Sequence, residues 1–143
     1  MDRQQIIMHF TVPPLADDLK VMAEEALEGL PEEILEHCED LVIEIEELPD
    51  ETVEQDLDLD DPYELMALFR SAKQIAPGVE KKVANEDDIL VIYRRPLLDL
   101  WCENGENLND LVRQVMIEEL GAQFEYNDDE IDEMISRHYQ GML

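Results

Sequence analysis

Glu119 is the side chain of this sequence whose position most needs a chemical explanation. With Leu108 set at 0° and 100° allowed per residue, Leu111, Val112 and Val115 fall within about 60° of it and define an apolar helix face. Glu119 falls at about 20°, in the middle of that face, with Ala122 and Glu118 on its flank at about −40° and −80°. A carboxylate on an apolar face is costly unless it is paired, hydrogen-bonded or protonated. Such a group is a candidate for proton transfer or ligand binding. The plainer alternative is that Glu119, two residues before Gly121 near the helix end, reaches solvent there. The remaining titratable candidates are few. His9, His37 and His138 form no cluster, and Cys38 and Cys102 are far apart with no C-x-x-C spacing. A Cys–His nucleophile pair using Cys38 or Cys102 stays open, beside the simpler reading of His37-Cys38 as a helix end. No G-x-S-x-G, P-loop or G-x-G-x-x-G motif is present.

The neighbours of Glu119 sharpen the question. The stretch Val115-Met116-Ile117-Glu118-Glu119-Leu120-Gly121-Ala122-Gln123-Phe124-Glu125-Tyr126-Asn127-Asp128 resembles the H-E-x-x-H-x-x-G-x-x-D helix of the small bacterial zincin-like metallopeptidases. Ile92-Tyr93-Arg94-Arg95-Pro96-Leu97-Leu98-Asp99 resembles that family's strand and exit turn, and His37–Ile43 and Asp61–Leu65 resemble its N-terminal half. The likeness runs in order over about residues 15–138. Carried across position by position, it pairs Glu119 with the general base and Asp128 with the acidic third ligand. Glu118 and Ala122 then stand where the two histidines belong, and Glu125 where the family has glycine.

In an H-E-x-x-H helix the two imidazoles at i and i+4 hold zinc, and the glutamate activates the bound water. Ala122 offers no donor atom. The resemblance therefore implies a degenerate member: the fold kept, zinc and peptidase activity lost, and a role in binding retained. No cofactor is expected, and none of the three histidines occupies a ligand position. Two further readings stay open. Glu118, Glu119 and Asp128 would suit a hard cation such as Mg²⁺ or Ca²⁺ better than zinc, or Glu119 and Asp128 would work as an acid/base pair. Alternatively the chain is an acidic adaptor or decoy for a basic protein.

The elements that must position these groups follow from periodicity and punctuation. Pro13-Pro14 opens a helix to about Gly29, and Pro31 starts a short helical turn toward Cys38. Residues 41–46 read as a half-buried strand. Residues 49–62 read as an acidic loop with one helical turn. The apolar run 63–69 stays open between helix and strand from its residues, and the family resemblance implies a strand at its end. Residues 71–87 read as a loop. Ile89–Tyr93, continuously apolar and rich in β-branched residues, reads as a central strand. Helices are expected over about 96–103, 107–124 and 128–139, the last capped and opened by Asp128-Asp129-Glu130. Trp101, Leu97 and Leu98 are expected in the core or at the cleft rim. The order predicts one α+β domain over residues 1–143, with a mixed sheet of three to four strands, an N-terminal helix and three C-terminal helices; the resemblance implies that this domain is zincin-like. Residues 1–12 are expected to be flexible or strand-forming.

Charge excludes several classes. With 38 acids against 10 bases the net charge is −28, which repels phosphates and anionic membranes alike. Solubility is the simplest consequence, with attraction of a basic protein or peptide partner as the sharper one. Only four of the ten bases are lysine, which also fits a salty cytoplasm. No signal peptide or membrane span is legible, and the two cysteines read as buried free thiols, so a cytoplasmic location is expected.

Overall fold

The computed structural model describes residues 13–70, 88–105 and 107–141. The expected loop at 71–87 and the N-terminal segment 1–12 lie outside the described residues, as does His9. In chain order the elements are α1 (Ala16–Glu28), α2 (Glu32–Leu35), β1 (Val42–Glu46), α3 (Glu51–Asp56), a 3₁₀ turn (Pro62–Glu64), β2 (Ala67–Arg70), β3 (Ile89–Tyr93), α4 (Arg94–Asn104), α5 (Leu108–Gln123) and α6 (Asp128–Gly141). The described strands form one mixed sheet in the order β1-β3-β2, with β1 parallel and β2 antiparallel to β3. This is the expected α+β architecture, with three strands.

β3 takes the centre because its sequence can be buried on both faces. Leu90, Val91, Ile92 and Tyr93 are each at most 1% exposed. Leu90 and Ile92 join Ile43 and Ile45 of β1 and Ala67 and Phe69 of β2 on the face that meets the helices. β1 alternates, with Glu44 turned outward to solvent. α5 is the helix at the middle of the domain, packing against α1, β2 and α6.

α4 begins at Arg94, two residues before the expected start. Pro96 is accommodated because it lies in the first turn, where N–H groups have no intrahelical acceptor. The helix ends on Gly105 in the left-handed conformation, φ 68°. The cap of α6 also differs from expectation. Asn127 is the capping residue: its Oδ1 accepts from Glu130 N and Glu130 Oε1 accepts from Asn127 N, both at 2.8 Å. This reciprocal pair leaves Asp128 in the first turn, where its charge still complements the helix dipole. Cys38 is buried as expected, but Cys102 is exposed on α4; both are free thiols. Among the described residues no helix is long and apolar enough to cross a membrane.

α5 closes on a Schellman turn. Glu125 N donates to Ala122 O at 3.1 Å and Tyr126 N to Gly121 O at 2.9 Å, with Glu125 at φ 70°. The chain thus makes, with a glutamate, a left-handed turn that ordinarily favours glycine. Glu125→Gly is expected to stabilise the fold by about 0.5–1 kcal/mol, because relief of the Cβ clash exceeds the added chain entropy. An unfolding midpoint in urea that falls in the variant would contradict this.

Candidate functional site

The buried face of α5 is not the straight stripe that spacing predicts. Its first half buries Leu108, Leu111, Val112 and Val115, as expected, but its second half buries Met116, Ile117, Leu120 and Gly121. The buried arc rotates because α6 packs on the C-terminal half, and the packing is close. A Cβ on Gly121 would lie 2.8 Å from Ile131 Cγ1. The rotation leaves Glu119 half-buried at the rim and Glu118 and Ala122 exposed, so Glu119 does not sit at the middle of the buried face.

What Glu119 meets there is the edge of the sheet. Tyr93 N donates to Met66 O at 2.8 Å, so along antiparallel β2 the residues in step with Met66 pair with β3 and those between them face outward. Phe69 is one of the outward residues. Its N–H donates to Glu119 Oε2 at 2.9 Å, and Gln123 Nε2 donates to the same oxygen at 3.4 Å. Burial pushes the Glu119 carboxyl above its ordinary range, while these two hydrogen bonds pull in the opposite direction.

The other positions of the motif-like helix behave differently. Glu118 accepts from Gln114 Nε2 at 3.2 Å, one turn back on the same surface. Asp128 is exposed at the start of α6. Among the described residues no three His, Cys, Asp or Glu side chains converge as a metal ion would require, so Glu118, Glu119 and Asp128 do not form the oxygen-ligand cluster considered from sequence. The Cys38 thiol is pushed up to about 11 by burial and by nearby Asp88. It is therefore almost entirely protonated at neutral pH and a poor nucleophile beside His37.

Sequence reasoning missed three participants. Phe69 contributes a backbone group, which every non-proline residue carries and no motif reveals. Gln123 stands four residues after Glu119, a spacing that does put the two on one face. Phe124 stacks against His37 with ring centroids 4.6 Å apart and meets Phe69 edge-on at 5.5 Å. The turn that carries His37 is thereby tied to the end of α5. Apart from the site, buried Arg113 was also missed; its Nη1 lies 3.5 Å from Ala26 O in the last turn of α1, a favourable place for a cation. Leu97 is in the core, with Leu98 and Trp101 partly buried against it, as expected. The His138 side chain lies outside the described residues.

Comparison with known proteins supports the resemblance. No curated relative matches the chain. The zincin-like metallopeptidase family does match, over residues 38–137, from the turn before β1 into α6. That span holds the whole described sheet, α5 and the first turns of α6. The chain belongs to the zincin-like metallopeptidase family.

Proposed function

We propose that this protein keeps the zincin-like fold, neither holds zinc nor cleaves peptides, and serves in binding from a cytoplasmic location. The observation that carries the reading is Ala122. Zinc in such a helix needs donors at i and i+4, and the second of these positions has a methyl group. The residues present do not fit the family's metal in other respects. Glu118 offers a carboxylate where an imidazole is needed, and it is engaged by Gln114. Glu119 Oε2 is committed to Phe69 N and Gln123 Nε2. Such a set of side chains supports no hydrolytic step through zinc. Metal analysis of protein purified without chelator is expected to give zinc well below one equivalent. One equivalent surviving dialysis would overturn the proposal.

The partner class is read from charge. A recess of about 410 Å³ is lined by Glu33, Asp129, Glu130 and Glu133 beside Tyr126 and Met134, on a chain of net charge −28. These groups favour a basic protein or peptide. Any such complex is expected to weaken steadily as ionic strength rises from about 0.05 to 0.5 M. Binding to a basic partner that ignored salt would count against this reading.

A further inference from the structure

We infer that Glu119 serves as a plug on the outer edge of β2, satisfying an N–H that would otherwise await another strand. It is a structural acceptor and not a proton-transfer group. The inference extends the reading above, in which α5 no longer activates water.

β2 is an edge strand of the described sheet, four residues long, with β3 on one side only. The outward N–H groups of such a strand are ready to pair with another chain, and folds protect them with short strands or with covering side chains. Phe69 is only 8% exposed, and a backbone N–H in such surroundings is costly to leave without an acceptor. Glu119 supplies it at 2.9 Å. Two more residues of the same helix end secure the arrangement: Gln123 holds the accepting oxygen, and Phe124 packs edge-on against the Phe69 ring. Residues 119, 123 and 124 thus hold one residue of β2 by its backbone, its acceptor and its ring.

This role needs an oxygen at the right reach and does not need charge. A general base needs the charge, because an amide cannot accept the proton. Glutamine and alanine therefore separate the two roles. The experiment is amide hydrogen exchange resolved by NMR on the full chain, as wild type, Glu119→Gln and Glu119→Ala. In the wild type the Phe69 amide is expected to be protected. It should stay within about threefold of that rate in Glu119→Gln and exchange at least about tenfold faster in Glu119→Ala, with the inward-facing Leu68 unchanged. Phe69 exchanging in the wild type as fast as amides of exposed turns would overturn the inference. So would a Glu119→Gln variant as unprotected as Glu119→Ala. If Glu119→Ala does not fold, the comparison of wild type with Glu119→Gln decides alone, since protection lost on a change that keeps the oxygen would rule the plug out. Zinc in the wild-type protein would overturn the binding-only function without changing these rates, so the two conclusions fail separately.

Discussion

Leu120→Ala is expected to lower the stability of the fold by about 3 kcal/mol and its thermal midpoint by roughly 10 °C. Leu120 has no exposed surface and lies beside Met116 and Ile117, which have none either. Its side chain belongs to the second half of α5, where the buried arc has turned toward α6. Removing three carbons there loses their transfer free energy and leaves a cavity. The neighbourhood cannot easily collapse to fill it, because α6 already approaches Gly121 so closely that a Cβ would meet Ile131. Leu15→Ala provides the contrast. Leu15 is 62% exposed, and its truncation should change stability by no more than about 0.5 kcal/mol. Urea or thermal unfolding of the two variants checks the pair. A loss below about 1 kcal/mol for Leu120→Ala would mean that α5 and α6 pack more loosely than their close approach at Gly121 requires.

The same region shows what sequence could and could not disclose. Ile89–Tyr93 was legible as the central strand because a run of five large apolar residues can be buried on both faces, and both of its faces are buried. The long helix was legible from its spacing; its cap, Asn107, whose side chain accepts from Asp110 N at 3.2 Å, emerges only in the structure. The rotation of its buried face was not legible. That rotation is set by where α6 lands, a tertiary fact, whereas the angular reading weights the helix's own first turns. The capping of α6 was half legible: Asn127 and Glu130 stand at capping-box spacing, but the acidic run beginning at Asp128 offered a competing start. Glu119 was singled out from spacing as a carboxylate on an apolar face, whereas it lies half-buried at the rim. Its partner could not be found, because a backbone N–H on a strand fifty residues away has no signature in side-chain patterns.

Glu119→Gln is expected to stabilise the protein at pH 7, with the gain shrinking to nothing as the solution is acidified. Burial is the largest influence on the Glu119 carboxyl and raises it in the folded state, while the bonds from Phe69 and Gln123 offset only part of the effect. A folded state with the higher affinity for protons gains stability from protonation. That gain is fully present below the pH at which the unfolded chain titrates, about 4.3, and is lost as pH rises through the raised folded value. Above that value the wild type holds a half-buried charge, and glutamine removes the charge while keeping an oxygen for Phe69. The remaining acids impose their own large pH dependence, but it is common to both proteins and cancels in the difference between unfolding midpoints measured at pH 7 and below pH 4. A glutamine variant less stable than wild type at pH 7 would show that the two hydrogen bonds outweigh burial. The direction of the shift also bears on function. A glutamate raised by burial is what a general base requires, but packing against the edge of β2 raises it without any catalytic role. The shift is therefore no argument for surviving chemistry, whereas the missing donor at Ala122 is an argument against it.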